Sequence, residues 1–307
     1  MYIVIVNPIA GYGRALKRFH KIQRDISFKN NHCRTFFTKY KGHAEEIAAQ
    51  IAEIYKEQIT TVIVIGGDGT FHEVMNGLNA HPQIPMAFIP AGSGNDFARG
   101  AGIPNNPLNS FKRVIRAPRK FTFLPGTYQF KPSPRNRKFF MNSIGLGFDA
   151  AVANKAEHSL LKRFFNRIRI GSLSYVTALL AILPKYGALP IMVQVDGNVV
   201  HRTRALMVTV ANHPYYGGGM KIAPQASLKE EFYSIIIIEE IAKWKILLLF
   251  ITVFFGKHTS LREVKEYKGK SIIIESAEKI PVQIDGETTT TRRCRIEKAA
   301  QRRTVYY

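Results

Sequence analysis

The chain has 307 residues, enough for two domains that each bury a core, and 46% hydrophobic with 21% charged residues is a globular composition, not a disordered one. Its 44 Lys and Arg against 22 Asp and Glu leave a net charge of +22, which favours anionic partners such as nucleotides, polyphosphates or an acidic membrane face. Two cysteines exclude a disulfide framework, and the longest apolar run, residues 246–255, is half of the roughly 20 residues that a membrane-spanning helix needs.

The opening run, residues 2–6, ends at Asn7-Pro8 and reads as a first strand, not as an export signal. A basic helix is expected over 15–26, a second strand over 33–39 and an amphipathic helix over 43–55 with apolar Ala44, Ile47, Ala48, Ile51 and Ile54. A third strand, TVIVIGG, leads into a helix over 71–78, and PMAFIPAG supplies a fourth strand. Continuous apolar strands alternating with amphipathic helices predict a parallel sheet covered on both faces, with ligands beyond the C-terminal strand ends. Those ends carry Asn7, Thr38, the GGDGT segment and the AGSGND segment. Gly66, Gly67 and Gly69 let a phosphate approach the backbone, and a helix opening near Thr70 adds free N–H donors. Asp68 among them repels a phosphate unless a divalent cation lies between, which points to Mg²⁺ carried by a nucleotide. The competing reading is a tight turn with Asp68 as a local cap. In the second loop Ser93 and Asn95 are hydrogen-bond donors, and Asp96 can cap a helix or meet a metal.

From about residue 121 strand follows strand: 121–130, 138–148, 189–200, 205–212, 232–239, 271–277 and 280–287. Asp-Gly turns such as Asp196-Gly197 predict an antiparallel sandwich, interrupted by helical segments over 151–184 and 243–256. Within the first, residues 160–170 interleave Lys162, Arg163, Arg167 and Arg169 with apolar residues, as either a membrane-surface helix or a core helix with a solvated face. The second is apolar nearly all round and is either buried or exposed beside a lipid entrance. The fold class is therefore α/β plus all-β: an N-terminal α/β nucleotide-binding domain over 1–120 and a C-terminal antiparallel β-sandwich with inserted helices over 121–290. A segment over 291–307 is free to return to the first domain through a closing strand at 304–307.

NPIAG at 7–11, TKYKGHA at 38–44, GGDGTFHEVMNGL at 66–78, GSGNDFARG at 92–100, NSIGLGFDA at 142–150, GGGMKIAP at 217–224 and DGE at 285–287 occur in this order across nearly the whole chain. Together they resemble the diacylglycerol kinase catalytic-domain lipid kinases, which include sphingosine kinases. GGDGT alone is shared with NAD kinases and phosphofructokinases; GSGNDFA with FHEVMNGL points to the lipid branch. The resemblance implies an ATP- and Mg²⁺-dependent phosphotransferase acting on a lipid hydroxyl, with diacylglycerol the first expectation and a sphingoid base or another long-chain alcohol the alternative. It implies ATP contacts at Asn7, Thr38, Gly66, Gly67, Asp68, Gly69, Thr70, Glu73, Ser93 and Asn95, with Asp68 organising the Mg²⁺ water network. Asp285 and Glu287 would meet the acceptor hydroxyl; the family pattern favours Glu287 as base, and the residues alone leave the two open, since Asp285-Gly286 also reads as a hairpin turn.

Two segments depart from the pattern: the tail over 292–307 lacks the prolines common near the family's end, and a second departure bears on metal binding. Where the family has an Asp-Gly turn and a further acid beside a structural Mg²⁺, this chain has Glu230, Glu231 and Ser234, so no metal ligands are assigned. The expected partners are a lipid substrate, an anionic membrane surface and a second copy in a homodimer. Nucleic acid is not expected, because basic residues are spread along the chain with no zinc-finger, helix-turn-helix or RNP pattern. Localisation reads as cytoplasmic and peripherally membrane-associated. A noncatalytic member that keeps the fold and uses its charge for membranes is the competing function, with the altered 228–234 segment in its favour.

Overall fold

Short runs of β-branched residues form the first sheet, in a computed structural model that describes residues 1–131, 137–157, 171–184 and 186–307. The expected basic helix over 160–170 lies outside the described residues. β1 (Tyr2–Val6) pairs in parallel with β2 (Cys33–Phe37) and with β3 (Thr61–Gly66), which pairs in parallel with β4 (Met86–Pro90). Ile3, Val4, Ile5 and Val6 are all fully buried, as are Ile63, Val64 and Ile65, the mark of a strand covered on both faces. The helices are α1 (Ala10–Gln23), α2 (Ile26–Lys29), α3 (His43–Tyr55), α4 (Asp68–Gly77), α5 (Asp96–Gly100) and α6 (Pro107–Arg116). α4 begins three residues earlier than its apolar spacing suggests. Its first turn is the DGT of the glycine segment, so Asp68 sits at the positive end of a helix.

The expected strand over 121–130 is two strands in two different sheets. β5 (Lys120–Phe123) belongs to the first sheet and β6 (Gly126–Gln129) to the second, with Pro125, which has no N–H to give a ladder, between them. The chain's last strand, labelled β17 (Arg303–Tyr306), lies between β4, to which it is parallel, and β5, to which it is antiparallel. Arg303 is 1% exposed and donates from Nη1 to the Leu78 carbonyl at 2.9 Å, a cation at the negative end of α4. Burial pulls its pKa down to about 10, so it stays charged at neutral pH. Met1–Pro125 with Ala300–Tyr307 form one compact unit, and Gly126–Ala299 form the other.

The second unit is antiparallel. After β6 come β7 (Lys138–Phe140), β8 (Ser143–Gly147), β9 (Leu189–Val195), β10 (Asn198–Ala211), the small hairpin β11 (Tyr215–Tyr216) and β12 (Met220–Lys221), then β13 (Tyr233–Glu239), β14 (Val264–Gly269), β15 (Ser271–Ile284) and β16 (Glu287–Lys298). The sheet runs β14-β13-β10-β8-β15-β16-β6-β7, and β9 also pairs with both β10 and β15. β8 and β9 thus fill the gap between the same two long strands at different levels. One face encloses a core of Ile144, Val193, Val208, Ile235, Ile274 and Ile296. The other packs α7 (Phe148–Glu157) and the helices Gly171–Ile182 and Lys243–Val253 over Leu206, Met207, Ile236 and Ile238. No helix among the described residues is long and apolar enough to cross a membrane.

Candidate active site

In the first unit the C-terminal ends of β1, β3 and β4 bring the expected residues together. The glycine loops after β3 and β4 touch: a Cβ on Gly92 would stand 2.6 Å from the Gly67 Cα, and the Ala91 N–H donates to the Gly66 carbonyl at 2.6 Å. A Cβ on Gly66 would meet the Thr70 side chain at 2.7 Å. Internal packing therefore accounts for Gly66, Gly67 and Gly92. It does not account for Gly69, where an added Cβ would meet nothing within 4 Å and the backbone is ordinary helix. Open space at Gly69 is what a ligand pressed against a helix N-terminus requires.

Asp68 joins the loops. Its two carboxylate oxygens accept the Asp96 N–H at 2.9 Å and the Phe97 N–H at 3.1 Å, so it caps the first turn of α5. Asn95, in the left-handed region at φ 54, closes its own loop by accepting from the Gly92 N–H and donating to the Gly92 carbonyl, each at 2.8 Å. Ser93 is exposed at the tip. Glu73 accepts from the backbone of Gly42 at 2.9 Å and of Ala44 at 3.1 Å, which fixes the 38–44 loop and caps α3. Thr38 is buried, with its N–H on the Val6 carbonyl at 2.9 Å. Asn7 donates to Thr70 Oγ1 at 3.0 Å, while its Oδ1 is buried and accepts nothing. An unused acceptor of this kind costs about 1–3 kcal/mol until a donor reaches it, so it suits a ligand.

Arg14 escaped the sequence reading. Its guanidinium donates to the Gly92 carbonyl at 2.9 Å and the Gly11 carbonyl at 3.2 Å, and the side chain is exposed beside both loops. Gly11, at φ 58, makes that approach possible, because a Cβ there would lie 1.9 Å from the Ala91 carbonyl oxygen. The NPIAGYGR text holds the signal: a left-handed turn over 11–13 that delivers the next side chain to the loop.

In the second unit the DGE segment is a hairpin turn followed by an exposed carboxylate. Ile284 pairs with Glu287 around Asp285 at φ 48 and Gly286 at φ 92, a type I′ turn. Asp285 accepts three backbone N–H groups: Met141 at 2.8 Å, Asn142 at 2.8 Å and Ser143 at 3.1 Å. Both oxygens are committed, which makes it a positioning residue, whereas Glu287 is exposed at the start of β16. Gln283 links this turn inward. Its Oε1 accepts the Gly286 N–H at 3.0 Å, and its buried Nε2 has no hydrogen bond.

That amide faces Asp149, a second residue to which the sequence reading gave no role. Asp149 is buried with both oxygens unbonded, directly over Gly145, where a Cβ would stand 1.7 Å from Oδ2. Burial pushes its pKa up to about 7; the Ala150 N–H and the Gln283 amide oppose the shift without reaching hydrogen-bond geometry. Gln283 and Thr209 flank Gly145 in register on either side, and the Thr209 hydroxyl is also buried and unbonded. Asp149 forms the polar end of an apolar cavity walled by Phe148, Leu206, Met220, Ile246, Leu249 and Phe250.

The divalent-ion positions divide. Among the described residues no group of three or more His, Cys, Asp or Glu could hold a metal. Asp68, a carboxylate in the first turn of α4 beside the open space at Gly69, is of the chemistry that suits an ion arriving on a nucleotide. The 230–234 segment does not fit a structural ion. Glu230 turns to Lys268 at 3.5 Å and Glu231 to Lys270 at 3.2 Å, while Ser234 Oγ donates to Glu266 at 2.8 Å. Nearby, the buried Lys298 ammonium donates to Asn212 Oδ1 at 2.7 Å and stands 4.3 Å from the Tyr233 ring centre. Burial lowers its pKa to about 8, and Glu230 and Glu231 hold it up. Lysines already neutralise the acids that a divalent ion would need.

Comparisons with known proteins bear on the family and the fold. Residues 1–122 match the family model of the diacylglycerol kinase catalytic domain, and residues 142–302 match that of the YegS C-terminal NAD kinase beta sandwich-like domain. The chain is 36% identical over 290 residues to "Putative lipid kinase YtlR" of Bacillus subtilis, covering 94% of each. It is 28% identical to a diacylglycerol kinase of Mycobacterium tuberculosis over 92% of this chain and 87% of that one. Among solved structures, "A putative diacylglycerol kinase from Bacillus anthracis str. Sterne" superposes with a TM-score of 0.75 at 25% identity, covering 100% of this chain and 96% of that one. An NAD kinase from Archaeoglobus fulgidus in complex with ATP shares the fold at a TM-score of 0.54 and 16% identity, covering 100% of this chain and 94% of that one.

Proposed function

Because the chain belongs to the family of diacylglycerol kinase-like lipid kinases, we propose that it phosphorylates diacylglycerol, taking the γ-phosphate of Mg·ATP. The observation that carries the acceptor half is the path Glu287, Gly286, Gln283, Asp149: an exposed carboxylate beside a locked turn that leads, through one amide, to the polar end of an apolar cavity. The cavity measures about 40 Å³ as it stands, so a lipid chain enters it only as the walling helix Lys243–Val253 gives way, and its polar head then lies where Asp149, Gln283 and Thr209 have unused hydrogen-bonding capacity. Glu287 takes the hydroxyl proton as the new O–P bond forms and the bond from γ-phosphorus to the bridging oxygen of ADP breaks. A carboxylate positioned on the acceptor hydroxyl suffices as base, since phosphoryl transfer rests mainly on alignment and charge neutralisation.

The donor half is assigned to the first unit. Gly69 and the N-terminal turn of α4 receive phosphate, Arg14 supplies positive charge, and Asn7 Oδ1 accepts a donor from the nucleotide. Asp68 holds the second loop in place and orients water around the nucleotide's Mg²⁺. Bound Mg²⁺ supplies charge neutralisation on the phosphates.

Membrane contact is assigned to the helix Lys243–Val253. Ile246, Leu249 and Val253 face inward, while Trp244 is 66% exposed, Ile251 59% and the following Phe255 70%. An 11-residue helix cannot span a bilayer, but one with an apolar outer face can lie in its surface beside the cavity it walls. The test is transfer of labelled γ-phosphate from Mg·ATP to diacylglycerol, monoacylglycerol and sphingosine in mixed micelles, with Glu287→Gln as control. Diacylglycerol labelled by the parent and not by the variant supports the reading. Label on sphingosine alone would replace the substrate, and no label from folded, ATP-binding protein would favour a noncatalytic membrane-binding role.

A further inference from the structure

The outer sheet face of the second unit is covered by helices on one side only; beside them it carries a cleft lined by Arg202, Arg204, Arg292 and Arg293. Strand register builds it. Arg293 pairs with Glu275, Glu275 with Met192 and Met192 with Arg202, one row across four strands, with Arg204 opposite Pro190. The alternate residues Ile274, Val193 and Cys294 point into the core, so this row faces out. A register shift in β15 between Glu275 and Ile280 lifts Ser276 and Ala277 into the wall.

Charge in the cleft is unbalanced. Glu275 meets Arg293 at 3.2 Å and Glu240 meets Arg204 at 3.5 Å, whereas Arg202 donates only to the Met192 sulfur at 3.6 Å. Among the described residues neither Arg202 nor Arg292 pairs with a carboxylate. Like charges on neighbouring strands repel, and a phosphate held by planar guanidinium forks relieves them. Among the described residues no aromatic side chain lines the cleft, so it offers the bases of single-stranded nucleic acid no stacking platform.

We propose that this cleft is a phosphate site distinct from the active site, and that it takes the headgroup of an anionic phospholipid. Its position selects that source. Arg204 also donates to the Ala188 carbonyl at 2.5 Å and reaches Glu240, three residues before the helix Lys243–Val253 with its exposed apolar face. Headgroup and acyl contacts therefore adjoin on one unit. The choice of phospholipid rests on the lipid-kinase reading, but the site's test needs no turnover.

The experiment is sedimentation with phosphatidylcholine vesicles, with and without phosphatidylglycerol, for the parent and for Arg202→Gln/Arg292→Gln, two exposed residues with no ion pair to lose. The variant should bind phosphatidylglycerol vesicles about tenfold or more weakly, keep its binding to phosphatidylcholine alone, and keep its melting temperature and its turnover in neutral micelles. Parental affinity in the variant overturns the site. Displacement of the parent by millimolar inorganic phosphate, beyond that by chloride of equal ionic strength, is the competition a phosphate site predicts, and a parent that binds inorganic phosphate but shows no preference for phosphatidylglycerol vesicles overturns the lipid as occupant.

Discussion

Asp196-Gly197 and Asp285-Gly286 are the same turn by backbone, with Asp at φ 49 and 48 and Gly at φ 87 and 92. Both carboxylates reach across to the backbone of a neighbouring strand. Asp196 Oδ1 accepts from Lys270 at 2.9 Å and Ser271 at 2.8 Å, and Asp285 accepts from residues 141–143. The turns differ in what adjoins them. Asn198 follows the first, while Glu287 follows the second and Gln283, bonded to Gly286, stands between it and Asp149. An acid inside an Asp-Gly turn is thus explained by architecture in both places, and the proposed chemistry falls on the exposed carboxylate that follows the second turn, Glu287.

The largest effect should come from that residue. Glu287→Gln is expected to lower kcat by about 10²- to 10⁴-fold with the melting temperature unchanged, while Asn198→Ala leaves both as they were. A Gln variant with parental kcat in the labelled-phosphate assay would return the base role to Asp285. Next, Asp285→Ala should cost about 3 kcal/mol in urea unfolding, since three amides lose a charged acceptor, against about 1 kcal/mol for Asp196→Ala at a more exposed turn. Equal losses would break the distinction between a turn that organises a site and one that only closes a hairpin.

Asp149 extends the comparison to pH. Its pKa rises from 3.8 to about 7 on folding. Between those values the unfolded chain has released the proton and the folded chain still holds it, so stability from this group is full at low pH and declines until the pH passes about 7. Asp149→Asn removes that slope and should be more stable than the parent by about 2 kcal/mol at pH 8, most of the ionisation penalty less the cost of a buried amide. Urea midpoints at pH 5 and pH 8 check this, and a parent-like slope in the variant would show that another group carries it.

The same division holds in the first unit. Gly69→Ala should weaken ATP binding about tenfold with stability kept or slightly raised, because the new methyl meets only ligand space on a helix. Gly92→Ala should destabilise through its clash with Gly67. Isothermal titration and thermal melting on both variants separate the two kinds of glycine; a Gly69→Ala protein with parental ATP affinity would put the phosphate elsewhere.

The parallel sheet was readable because its strands are continuous apolar runs, and the glycine loops because each follows such a run at a strand end. Strand 121–130 was not readable as two strands, since the division between β5 and β6 depends on which sheet still lacks an edge partner. The candidate site was readable in its members and less so in their tasks. Glu73 and Asn95 prove to be loop fasteners, visible only once the amides of Gly42, Ala44 and Gly92 are placed. Asp149 gained its place from Gly145, whose missing side chain makes room for a carboxylate; a pairing of strand glycine with helix acid has no periodicity to announce it.

The smallest expected effect is none at all, and it bears on the 228–234 segment, which departs from the family pattern. Glu230 and Glu231 lie 3.5 and 3.2 Å from Lys268 and Lys270, with the Lys298 ammonium buried close by. A structural divalent ion would have to displace these lysines, and charge repulsion opposes its entry. Millimolar Mg²⁺ without nucleotide should therefore leave the melting temperature unchanged, whereas a protein with a structural site gains stability by mass action as the ion binds its folded form. Lys298→Met with Ser234→Asp supplies the contrast. It removes the buried cation, adds an acid, and should be less stable than the parent in chelator and recover when Mg²⁺ is added. A parent that itself melts higher in Mg²⁺ alone would mean that the lysines yield to the ion, and that this turn keeps the metal its altered sequence argues against.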